Sequence, residues 1–158
     1  FGPNHVRACD TWAYGLAQML STVSPAMFEE FEVDYCKEWA KHIGLVYYGC
    51  CDPLDRKMEQ VRKIPNVRKI SMSPWTDPDI GAAAIAGDYV FSSKPNPAHL
   101  AAPTFDGDMV RAYLKNIKRA AESNNCPVEF ILKDVSTIKH DFNRLVEWEK
   151  IAMEVAKA

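Results

Sequence analysis

The amino-acid sequence predicts an α/β fold with a parallel sheet, on three observations. Helical and strand-like segments alternate from residue 24 onward, and no internal repeat or long linker interrupts them. The 158 residues, 47% hydrophobic and 25% charged, have the balance of one globular domain. Four or five β/α units make either half of an eight-stranded barrel, for which about 250 residues is usual, or a small open doubly wound sheet. Periodicity alone does not separate the two. A doubly wound nucleotide binder would carry a Gly-rich turn after its first strand, and the sequence has none.

A weak strand is expected around Ala17 to Leu20. Ser24-Pro25 then supplies an N-cap and a proline at the first helical position, and Glu29 and Glu30 suit the first turn. Phe28, Phe31, Tyr35, Trp39 and Ile43 follow at helical spacing until Gly44 ends the helix. The run Leu45 to Cys50 is β-branched and aromatic, which predicts a strand. Pro53 opens a short charged helix that stops near Pro65, and Val67 to Met72 is the next strand. Asp77-Pro78 begins an Ala-rich helix ended by Gly87, and Tyr89-Val90-Phe91 is a strand running into the turn Lys94-Pro95-Asn96-Pro97. Asp106 caps a helix whose Val110, Leu114, Ile117 and Ala121 share one face, with Asn124-Asn125 as its stop. Val128 to Leu132 is a strand, and Asp141 caps the last helix, with Phe142, Leu145, Trp148, Ala152 and Val155 on its buried side.

Charge and composition exclude some partners. The formal net charge of −2 and pI of about 6.1 give no basic field for phosphate backbones or anionic lipid, so nucleic acid is not expected. The basic residues of 56–69 are mixed with Asp55 and Glu59 and read as a solvated face. The longest apolar runs fall far short of the roughly 20 residues that span a bilayer. Five irregularly spaced cysteines argue against a disulfide framework and for a reducing, cytoplasmic compartment. The start, Phe1-Gly2-Pro3-Asn4-His5, has no leader pattern and no Met and reads as a cut sequence with an upstream half missing; residues 1–11 are expected to be peripheral.

In parallel β/α folds the strand C-termini carry the chemistry, and here those ends are polar. They read Tyr48-Gly49-Cys50-Cys51-Asp52, Ser71-Met72-Ser73-Pro74-Trp75, Ser92-Ser93-Lys94-Pro95-Asn96 and Lys133-Asp134. Tyr48 and Cys50, two apart on one strand, are expected to face the same side. A thiolate is a soft ligand for zinc and can activate a second thiol as a methyl acceptor; Asp134 is placed to add a carboxylate to the same ion. Equally, adjacent cysteines serve as small buried hydrophobes. Lys94 and Asn96 are candidates for binding a substrate carboxylate, His99 for contacting substrate, and Trp75 for a flat wall against a large ligand.

The stretches Val23 to Phe31 and Gly44-Leu45-Val46-Tyr47-Tyr48-Gly49-Cys50-Cys51 resemble the uroporphyrinogen decarboxylase family, on its methyltransferase-like branch. Arg68 to Trp75, Lys94-Pro95-Asn96-Pro97 and Phe130-Ile131-Leu132-Lys133-Asp134 are similar to the same branch. The likeness runs from about residue 12 to the end and covers half of a family member. It implies the C-terminal half of a (β/α)8 barrel, completed by an upstream half or by a second chain, a homodimer included. It also implies transfer of a methyl group with a corrinoid (cobalamin) protein or a small-molecule methyl carrier. In that branch a His-x-Cys-Gly motif and a later Cys hold zinc. Those positions fall on Tyr48, on Cys50 and near Asp134, so only Cys50 is retained. A set of Cys50 and Asp134 with Glu129 or Cys51 is what remains to hold a metal. The His in a Gly-rich turn of the decarboxylases is replaced by Asp134-Val135-Ser136, which argues against porphyrinogen decarboxylation. The rival expectation is a non-catalytic barrel binding a carboxylated or tetrapyrrole-like ligand through Trp75, Lys94 and His99.

Overall fold

The structure is a computed structural model and describes residues 5–158. Five parallel strands, β1 (Trp12–Gly15), β2 (Leu45–Tyr48), β3 (Val67–Met72), β4 (Val90–Ser93) and β5 (Val128–Phe130), pair in sequence order, so each lies beside the next. Between them run α1 (Pro25–Phe28), a π-helical turn (Glu29–Val33), α2 (Asp34–Ala40), α3 (Met58–Val61), α4 (Pro78–Ile85), α5 (Ala98–Ala101) and α6 (Gly107–Ser123). The last helix, α7 (Asn143–Lys157), packs on α6 and β5. Right-handed crossovers between successive parallel neighbours put the connecting helices on one face of the sheet. This is an α/β fold consistent with a partial β/α barrel.

Side-chain alternation along the strands confirms the one-sided cover. Val46 and Tyr48, Ile70 and Met72, and Phe91 point into the helix layer and are buried with Phe28, Val33, Val61, Ala82, Ile85 and Ile117. The opposite face carries Tyr14, Tyr47, Lys69, Ser92 and Glu129. There Tyr47 and Ser92, two strands apart, meet at 2.8 Å, and Lys69 reaches Glu129 at 2.7 Å. Neighbouring strands lie about 4.8 Å apart, and contacts that skip a strand are the pattern of a face that curls inward. A second core, Leu100, Val110, Leu114, Trp148, Ile151 and Val155, seats α7. No helix of the described residues is long and apolar enough to cross a membrane.

Ile70 sits fully buried at the middle of the sheet. Ile70→Ala removes three methyl-sized groups where neighbours on both sides are fixed, and is expected to cost about 2–5 kcal/mol in urea unfolding. A loss below about 1 kcal/mol would mean that the layer is not packed as described.

Several elements differ from the sequence expectation. The first strand is Trp12–Gly15, not Ala17 to Leu20. The helix expected from Pro53 begins only at Met58, because Asp52 and Leu54 are buried in the loop before it. In the 25–40 helical run the buried residues are Phe28, Val33, Cys36 and Ala40, while Phe31 and Tyr35 are 55% and 70% exposed. The π-helical turn inserts one residue, which rotates the later stripe out of phase. Phe142 is 69% exposed and lies before the first turn of α7; Arg144 takes the inward position below Trp148. Asp141 accepts a hydrogen bond from the Asn143 N–H at 3.1 Å, from two residues ahead of the helix. The helix Gly107–Ser123, its Asp106 cap and its four-residue face are as expected. Of the segment 1–11, residues 1–4 lie outside the described residues; 5–10 are exposed, with the turn Ala8–Asp10 against Gly44.

Candidate functional site

A single glycine turns β2 out of the sheet. Gly49 has φ +99°, and a Cβ there would meet the Leu54 side chain at 2.7 Å and Ser71 at 3.1 Å, so only glycine fits. The turn delivers Cys50 and Cys51 to the carboxyl end of the strands. The Ser71 hydroxyl donates to the Cys50 carbonyl at 3.1 Å and fixes the loop to β3. The two sulfurs lie 3.4 Å apart.

From the far edge, the chain leaving β5 brings Lys133 over the same pair. Its ammonium donates to Cys51 Sγ at 3.2 Å and Cys50 Sγ at 3.5 Å, and pairs with the Asp134 carboxylate at 2.9 Å. β3 and β4 stand between β2 and β5, so this contact, between residues 83 positions apart, depends on the curl of the sheet. Cys50 and Asp134 therefore share one end of the molecule, linked through a cation.

Electrostatics follow from that arrangement. Burial pushes the Cys50 thiol up, but hydrogen bonding from Cys51, the Tyr14 hydroxyl beside it and the Lys133 ammonium outweigh burial and leave it below its ordinary value. For Cys51 the balance goes the other way: Lys133 lowers it, while donation to Cys50, burial and the Cys50 charge together raise it. Of the two sulfurs, Cys50 is therefore the one that gives up its proton more readily. Tyr14 is pushed up by burial and by the neighbouring Cys50, so it remains a neutral donor. Lys133 is raised despite its burial, by Asp134 and the two sulfurs, and stays charged.

Beside this group opens a hollow of about 360 Å³ whose wall includes Cys51, Trp75, Asn96, Lys133 and Asp134. Trp75 is 74% exposed and also borders a second hollow of about 430 Å³ with Arg56 and Lys57. Asn96 accepts from the Ala98 N–H at 3.0 Å, shaping the start of α5 while lining the first hollow. Four of the residues singled out in the sequence thus meet in one place.

The others do not. Tyr48 is fully buried on the helix side, its hydroxyl donating to Glu32 at 3.0 Å; β2 ends at Tyr48 and Gly49 turns, so the two-residue rule does not carry from Tyr48 to Cys50. Cys36 also donates to Glu32, and burial pushes its thiol to about 12. Glu129 lies further back on the concave face, paired with Lys69. Lys94 is 3% exposed; its ammonium donates to the Tyr47 hydroxyl and to Ser92. His99 stands edge-on to Tyr113 at 5.1 Å, and burial lowers its pKa. None of these residues lines the hollow.

Around the two sulfurs the described residues supply fewer donors than the four of a tetrahedral zinc site. Among the described residues no three of His, Cys, Asp and Glu come close enough to hold a metal ion. The third direction around the two sulfurs is taken by the Lys133 ammonium, where a tetrahedral site needs another donor. Two contributors went unread in the sequence. Lys133 was visible only as a neighbour of Asp134, and Tyr14 lay outside the expected first strand, although Trp12-Ala13-Tyr14-Gly15 has the aromatic content of one. No family model matches the chain, and no curated protein matches it.

Proposed function

We propose that this chain is the C-terminal half of a (β/α)8 barrel of the uroporphyrinogen decarboxylase kind, and that it takes a methyl group from a corrinoid protein or a related small-molecule carrier. The observation that carries the reading is the Cys50 sulfur held beside the Lys133 ammonium at the carboxyl ends of the strands. A thiolate is the reactive form of cysteine, and a neighbouring cation maintains it at neutral pH. In the transfer, a bond forms from Cys50 Sγ to the methyl carbon as the bond to the carrier breaks, and that electron pair departs with the carrier. Lys133 keeps the sulfur ionised beforehand, and Asp134 orients Lys133. The hollow beside Cys51 gives the carrier its approach, with Trp75 as a flat wall.

The outer edges of β1 and β5 have no strand partner among the described residues. Exposed strand edges are costly, so an upstream half or a second copy of the chain is the natural complement. Five free cysteines agree with a reducing, cytoplasmic setting.

Incubation of the chain with methylcobalamin, followed by trypsin and mass spectrometry, tests the reading. Residues 42–56 form one tryptic peptide holding Cys50 and Cys51 and no other cysteine. A methyl group is expected there in the unaltered chain and in Cys51→Ser, and not in Cys50→Ala. Equal or greater methylation of the exposed Cys9 would overturn it. The exposed Trp75 between two hollows favours a second reading, a barrel that only binds a flat tetrapyrrole-like ligand. Its signature in the same incubation is retained colour without methylation.

A further inference from the structure

Cys51 accepts no methyl group in that transfer, yet its sulfur lies 3.4 Å from Cys50 Sγ and 3.2 Å from the Lys133 ammonium. We infer that Cys50 and Cys51 form a redox-active dithiol that exchanges with low-molecular-weight disulfides, such as oxidised glutathione, and closes to a disulfide between the adjacent residues. Cys50 attacks and Cys51 resolves.

The exchange balances in two steps. Cys50 thiolate attacks one sulfur of the small disulfide; a mixed disulfide forms and the other half leaves as a thiolate. Cys51 then gives its proton to solvent and attacks Cys50 Sγ, joining the two cysteines and releasing the second half as a thiolate. The protein loses two electrons, and one small disulfide becomes two thiols. The geometry meets both requirements: the resolving sulfur is already in contact with the attacked one, and a single ammonium serves whichever sulfur bears the charge. The hollow walled by Cys51 and Lys133 admits the co-reactant.

The product is expected to be easily reduced. Adjacent Cα atoms are about 3.8 Å apart, shorter than the roughly 4.4–6.8 Å that an unstrained disulfide spans. Strain of this kind raises the potential and makes a disulfide labile rather than structural. The three other cysteines have no such neighbour: Cys9 is exposed and alone, while Cys36 and Cys126 are buried with hydrogen bonds to oxygen. The inference needs the two thiols and Lys133 but no methyl carrier, so it stands or falls apart from methyl transfer.

The test is oxidised glutathione added to the full chain, then alkylation under denaturing conditions and mapping of peptide 42–56. The peptide is expected to lose two hydrogens, to escape alkylation, and to regain both thiols on brief treatment with a dithiol reductant. It should do so about tenfold faster than Cys9 becomes glutathionylated. Cys51→Ser should trap glutathione on Cys50, and Cys50→Ser should react at the slow rate of Cys9. Recovery of both residues as free thiols, or of stable glutathione adducts on the unaltered chain, overturns the inference. Equal reaction of the two single variants would overturn the assignment of attacking and resolving roles.

Discussion

Arg144→Ala should lose about 3–5 kcal/mol of unfolding free energy. The guanidinium is 8% exposed and donates to the carbonyls of Leu100, Ala102 and Pro103 at 2.9, 2.7 and 2.9 Å. Truncation leaves these acceptors without their donor in a place where water has little access, and opens space under Trp148. Arg144→Lys keeps the charge but lacks the planar fork, so it should recover only part of the loss. The consequence reaches the site, because Ala98 and Ala101 of the same segment line the hollow beside Cys51. A urea midpoint for Arg144→Ala close to that of the unaltered chain would show that α7 does not anchor this wall.

The second large effect is chemical. Lys133→Met preserves much of the stem and removes the ammonium, so alkylation of Cys50 at neutral pH should slow by about tenfold. The sign follows from the direction of the shift. Cys50 ionises below the ordinary thiol value because the opposing effect of burial is outweighed by Cys51, Tyr14 and Lys133. Without the cation, burial counts for more and the rate-against-pH curve moves to higher pH. Asp134→Asn should slow alkylation less than Lys133→Met does, since the Asp134 side chain is 64% exposed and such pairs contribute weakly.

How far the sequence could be read depended on how local each cause was. The helix Gly107–Ser123 was legible because its cap, its stripe and its stop are consecutive along the chain. β3 was legible from residue type alone. The phase of the 25–40 run was not, because one inserted residue at the π-helical turn leaves the spacing of Phe31 and Tyr35 looking helical while turning them to solvent. At the site, Cys50, Cys51, Trp75, Asn96 and Asp134, all singled out by polarity at the strand ends, lie around one rim. Tyr48 was misread because the strand stops one residue before the glycine that reorients the chain. Lys94 and His99 were misread because their turn folds inward: Lys94 is drawn to Tyr47 and His99 to Tyr113, contacts set by strands and helices far away in sequence. The role of Lys133 had no local signal at all. Its meaning comes from a sheet curved enough to bring β5 over the end of β2.

That cross-sheet contact is best tested by titrating Cys50 itself, with its Cβ labelled with carbon-13 in a Cys51→Ser background and its chemical shift followed against pH with Lys133 present and replaced by methionine. A midpoint below that of a free thiol, rising when Lys133 is removed, is the expected result. A midpoint at or above the free-thiol value that ignores Lys133 would contradict the account.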